Sequence, residues 1–170
     1  MHKLTRALVA GILASVLLVS ATAHASTPQG GTLSKSKRSL SWSGPTWNYA
    51  IPWPDASVFC TDGQCDHFKL KINMGEGARI KVTVKATPTP VDSAQDFGGQ
   101  GVAPNDVDLF IYDPNGVEVG ESATPHGTES VTFTHKGKFR NKAYDVEVSP
   151  WLVLPGATYS GMAVTLSYVK

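Results

Sequence analysis

The sequence is short of cysteine, short of charge and, beyond its first residues, short of long apolar runs. Cysteine occurs at Cys60 and Cys65 alone, too few for the disulfide-dense scaffolds that small domains build in place of a core. Their spacing is not that of a Cys-x-x-Cys redox pair, and two ligands are too few for a structural zinc. Acidic and basic residues nearly balance, for a formal net charge of +1. Nothing here draws the chain electrostatically to nucleic acid or to anionic lipid. No Gly-x-Ser-x-Gly elbow occurs, and His67, His126 and His135 stand in no His-x-x-x-His or Glu-flanked metal motif. These absences remove the common hydrolase and zinc-enzyme readings. A small secreted hydrolase or enzyme inhibitor with an unrecognised constellation stays open. Nor is there a sustained helical period after residue 25, which excludes helical bundles and alternating α/β folds.

What the N-terminus does hold is an export pattern. Lys3 and Arg6 make it positive, residues 7–20 are apolar over a length too short to span a bilayer, and Ala23-His24-Ala25 has the small-x-small form of a cleavage site. Residues 1–25 are therefore read as a signal peptide, and the mature chain as secreted, extracellular and without a membrane span. Loss of Lys3 and Arg6 takes the formal charge to −1. The mature chain of about 145 residues is the size of one domain and can bury a core. Residues 26–38 are rich in Ser, Thr and Gly and read as a flexible leader that ends in the basic cluster Lys35, Lys37 and Arg38. Residues 39–170 are read as the folded domain.

Within that domain the dominant period is two. Phe68, Leu70 and Ile72 alternate with His67, Lys69 and Lys71; Ile80, Val82 and Val84 alternate with Lys81, Thr83 and Lys85. Tyr144, Val146 and Val148 alternate with Asp145 and Glu147, and Met162, Val164, Leu166 and Tyr168 with Ala163, Thr165 and Ser167. Each is a half-buried strand. Val107, Leu109 and Ile111 share one face of a strand whose other face carries Phe110 and Tyr112, so it reads as central or covered. Asp113-Pro114-Asn115-Gly116 closes it as a turn, with Asn115 and Gly116 expected in the left-handed region. Many short strands joined by Gly, Pro and Asn turns give an all-β, antiparallel two-sheet sandwich. Phe68, Ile80, Val82, Leu109, Val146 and Leu166 are its expected common interior.

Four candidate sites follow. In an oxidising compartment Cys60 and Cys65 are expected to bond, pinning a short loop for about 2 kcal/mol. Asp106 and Asp108 flank Val107 and so project to one side of a strand. With Asn105, and with Asp92 and Asp96 in the adjoining irregular segment, they form a hard-oxygen set suited to Ca2+. Against that stand ordinary roles in turn capping or in water. Trp47, Tyr49 and Trp53 come from one proline-rich irregular stretch and form a candidate aromatic platform for sugar rings or proline-rich protein. The competing reading has them roofing one end of the sandwich. Residues 136–142 make a basic loop, read as a solvated strand connection.

The run from Asn105 through Val107-Asp108-Leu109-Phe110-Ile111-Tyr112 to Asp113-Pro114-Asn115-Gly116 resembles the strand and turn of bacterial pre-peptidase C-terminal (PPC) domains. Asp66-His67-Phe68-Lys69-Leu70 is similar to their opening strand. Residues 128–133 and 143–148 are similar to their closing pair. The likeness spans roughly residues 39–170, almost the whole mature chain. It implies a jelly-roll-like sandwich of secreted bacterial proteins that assists secretion, folding or attachment to a substrate. Related collagenase collagen-binding domains bind collagen and calcium. No catalytic domain precedes the module here, so the chain is expected to stand alone. The reading is a non-catalytic secreted binding or accessory module. Its expected partner is an extracellular polysaccharide, a collagen-like protein or a cell-wall polymer.

Overall fold

In the computed structural model the described residues are 25–47, 65–74, 79–90, 105–125 and 127–169. Among them run nine strands: β1 (Gly30–Ser34), β2 (Ser39–Ser43), β3 (Asp66–Asn73), β4 (Arg79–Pro88), β5 (Asp106–Tyr112), β6 (Glu118–Ser122), β7 (Glu129–Lys136), β8 (Ala143–Leu152) and β9 (Tyr159–Val169). One turn of 3-10 helix, Gly137–Phe139, leads from β7 towards β8. The strands form two sheets, ordered β1-β3-β8-β5-β6 and β2-β9-β4-β7.

The two-residue alternation builds this arrangement. β3 and β4 each bury one side chain in two, with Phe68, Leu70 and Ile72 on one and Ile80, Val82, Val84 and Ala86 on the other. In register, Leu109 of β5 faces Val148 of β8, and Ile111 faces Val146. All of these side chains join one interior cluster between the sheets. Burying each large aliphatic contributes about 1.5–3 kcal/mol. Trp42 on β2 and Phe68 on β3 stack across the sheets with ring centroids 3.8 Å apart. That ring leaves no space beneath it. A Cβ at Gly161, opposite Trp42, would lie 2.0 Å from Trp42 Cε2.

Four expectations are corrected. The leader is not a mobile tail: Gly30–Ser34 is a strand that pairs in parallel with β3, and Leu33 is wholly buried. The sandwich is thus antiparallel apart from this one pair among the described strands. On β9 the inward row is Tyr159, Gly161, Ala163 and Thr165, while Leu166 is 52% exposed. The Trp42–Phe68 pair already occupies the interior there, so the small Gly161 and Ala163 face in beneath it. An irregularity in the pairing with β4, between Lys81 and Val82, offsets the register at Leu166. Phe68, Ile80, Val82, Leu109 and Val146 do share the interior; Leu166 does not. In the turn after β5 only Gly116 takes positive φ, at 78°. Asp113 holds that turn instead, its Oδ1 accepting from the Asn115 and Val117 amides. Finally, Trp47 is wholly buried against Tyr159, with centroids 6.0 Å apart. Backbone bonds to Ala157 and Gly156 fix it there, so its ring roofs the core and offers no face to a ligand.

Candidate functional site

Because Val107, Leu109 and Ile111 are drawn into the core, β5 must send Asp106, Asp108, Phe110 and Tyr112 to the outer face of the five-stranded sheet. Pairing brings Glu121 of β6 opposite Phe110 on that face. On the other flank the β5–β8 register skips Trp151, so the residue bulges beside Asp106. Together Asp106, Asp108, Glu121, Phe110, Trp151 and Pro125 line a groove of about 390 Å³. Its chemistry is carboxylate oxygen set among aromatic carbon.

The two β5 carboxylates are held out of water, while Glu121 is exposed. Asp106 and Asp108 are 3% and 7% exposed. Burial pushes the Asp108 carboxyl up to about 6, and the negative charges of Glu129 and Glu121 push the same way. Glu129, at the start of β7, is wholly buried. It accepts from the Ser122 hydroxyl, and from that of Thr124 at 2.8 Å. It therefore ties the end of β6 to the opposite sheet, just behind the groove.

Further along the same face lies a mixed-charge patch. Asp145 of β8 takes the Lys69 ammonium at 2.9 Å and His67 Nδ1 at 3.2 Å, with Glu147 4.0 Å from that nitrogen. The hydrogen bond to Asp145 raises the His67 pKa despite partial burial. Burial would lift Asp145, but the hydrogen bonds from His67 and Lys69 outweigh it and leave Asp145 below the ordinary value. Glu147 is raised, chiefly by burial. On the inner face, His135 is fully buried, its Nδ1 3.0 Å from the Tyr144 hydroxyl, and burial lowers its pKa.

Of the residues expected to hold calcium, Asp106 and Asp108 do share one face and one groove. Asn105 does not join them. Its φ is 71°, its Nδ2 donates to Thr89 O at 2.9 Å and its Oδ1 accepts from Leu154 N at 2.8 Å, so both ends of the amide brace neighbouring loops. Asp92 and Asp96 lie outside the described residues, as do Tyr49, Trp53 and Cys60. Cys65 is buried and is not a free thiol. Among the described residues no group of three or more His, Cys, Asp or Glu is arranged to hold a metal ion. Sequence reasoning missed Glu121 and Glu129. Each belongs to another strand: pairing of β6 with β5 brings Glu121 to Asp108, and packing of the opposite sheet brings Glu129.

No family model matches the chain, and no curated protein does. Solved structures of similar strand arrangement include the pre-peptidase C-terminal domain of a collagenase from Bacillus anthracis. It has 6% identity, with 81% of this chain and 94% of that one covered and a TM-score of 0.42. The insecticidal delta-endotoxin Cry8Ea1 from Bacillus thuringiensis has 11% identity over 73% of this chain and 20% of that one, with a TM-score of 0.34. The collagenase domain bears the name of the family that the Asn105–Gly116 segment resembles. Among the described residues no helix is long and apolar enough to cross a membrane.

Proposed function

We propose that the chain is an exported, non-catalytic accessory module that binds an extracellular polymer through the groove on the five-stranded sheet. The observation that carries this is the pairing of carboxylates with aromatic rings, the desolvated Asp106 and Asp108 and the exposed Glu121 beside Phe110 and Trp151. Such a surface suits polysaccharide, whose hydroxyls donate to carboxylates while its ring faces stack on aromatics. It also suits the cationic side chains of a collagen-like protein. Titration of chitin, cellulose, cell-wall and collagen preparations against tryptophan fluorescence tests it. Binding is expected to at least one, and to weaken tenfold or more in Trp151→Ala. Unchanged fluorescence with all of them, or cleavage of any, overturns the reading.

Calcium enters this proposal as a structural ion between the Asp106–Asp108 strand and the segment that carries Asp92 and Asp96. Support comes from Asp106 and Asp108 on one face, two hard-oxygen donors in a partly dry site. Melting the protein in calcium and in chelator decides it. A higher midpoint with calcium is expected, and identical midpoints overturn the ion.

A further inference from the structure

Asp66, the first residue of β3, is wholly buried, and Ser26 beside it is 2% exposed. The backbone nitrogen of Ser26 donates to Asp66 Oδ1 at 2.6 Å. Oδ2 accepts from the Tyr159 hydroxyl, which in turn accepts from Trp42 Nε1 at 3.1 Å. One residue on, Thr27 exchanges two backbone bonds with Ser43, at 2.8 and 3.1 Å. The Ser26 nitrogen is therefore clamped against the carboxylate. Among the described residues no Lys, Arg or His side chain forms an ion pair with Asp66. A buried carboxylate served by neutral donors alone is costly, and the missing complement is a cation.

The sequence places one at that atom. Ala23-His24-Ala25, small at both ends, stands immediately before Ser26. We propose that Ser26 is the first residue of the mature protein and that its α-ammonium forms a buried ion pair with Asp66. A signal-peptidase-class enzyme adds water across the Ala25–Ser26 amide. Ala25 leaves as a carboxylate, and the Ser26 nitrogen takes up the protons to become an ammonium in the place of the amide N–H. The 2.6 Å contact then carries charge on both partners, where the amide N–H offered the carboxylate only a neutral donor. Because that nitrogen is buried in the folded chain, the cut precedes folding. Processing then completes the core as well as releasing the protein. The inference goes beyond the binding reading and shares with it only export.

The test uses the full-length chain expressed for export. Mass and N-terminal sequencing of the product should show Ser26 first. In the native product the α-amine should react with an acylating reagent at neutral pH at least ten times more slowly than in the unfolded chain. Two glycines inserted between Ala25 and Ser26, which carry the ammonium away while sparing Asp66, should lower the melting temperature by about 5 °C or more. In an Asp66→Asn background the insertion should make no further difference. If that variant does not fold, the labelling and the insertion decide alone. An exported product that starts elsewhere, equal labelling of native and unfolded protein, or an insertion without effect overturns this proposal and leaves the binding reading standing. A chain retained uncut overturns both.

Discussion

The two sheets turn different chemistry outward although they share one interior. The four-stranded sheet presents Ser39, Ser41 and Ser43, Lys81 and Lys85, and Ser130 and Thr132, with Met162 and Leu166 exposed among them. Its polar groups meet water or each other, as where the Thr83 and Thr132 hydroxyls lie 2.7 Å apart. The five-stranded sheet instead holds Asp106 and Asp108 almost out of solvent and shifts the protonation of Asp108, His67, Asp145 and Glu147. Solvated polar groups cost a fold little. Desolvated carboxylates are costly, and such costs gather where a protein has work to do.

The contrast is best broken at Glu129, the joint behind the groove. Glu129→Ala leaves the Ser122 and Thr124 hydroxyls without their acceptor and should lower stability by about 3 kcal/mol in urea unfolding. A loss under about 1 kcal/mol would show that the joint matters no more than the solvated sheet. Asp108→Asn should act in the opposite direction. The folded value of Asp108, about 6, stands above its ordinary 3.8. The folded state therefore keeps the proton longer, and ionisation lowers stability as pH climbs through that window. At pH 7 and without ligand the variant should be about 3 kcal/mol more stable than the parent, and below the window the two should converge. The same substitution should weaken polymer binding, a trade that no residue of the four-stranded face should show.

Smaller effects sharpen the picture. Lys69→Met removes a half-exposed partner of Asp145 and should cost under about 1 kcal/mol. His67, with its raised value, stabilises fully below the ordinary histidine pKa and loses that contribution as pH rises through the folded value. A His67→Asn variant should flatten that alkaline slope in pH-dependent melts. Smallest of all, Leu166→Ser on the opposite sheet should change stability by no more than about 0.5 kcal/mol. A larger loss would mean that something covers this face.

Much of the fold was legible because the sequence repeats one simple physical statement. Phe68, Leu70 and Ile72 against Lys69 and Lys71 locate β3 and its buried side, and Val107, Leu109 and Ile111 do the same for β5. The rule failed where volume overrode polarity. On β9 it chose the bulkier row as the inner one, yet Trp42 and Phe68 had already filled that space and only Gly161 and Ala163 fitted beneath. It failed again at Gly30–Ser34, where glycine and serine give no alternation and the strand is specified by its partner β3. The site was half visible. Asp106 and Asp108 announce themselves by spacing, whereas Glu121 and the bulged Trp151 reach them only through strand pairing and Glu129 only through packing of the opposite sheet. Trp47 was misjudged because proline-rich surroundings resemble an exposed loop, and nothing local tells that Tyr159 waits to receive the ring.

β1 carries a last consequence. It runs alongside β3 with the same heading, so no hairpin delivers it. The chain must first cross to the opposite sheet as β2 and return before its own beginning finds a berth. Until then the flank of β3 is an open zipper, ready to close on the equivalent five residues of a neighbouring molecule as easily as on its own. Crowded preparations should therefore exchange these segments and emerge as interlocked pairs.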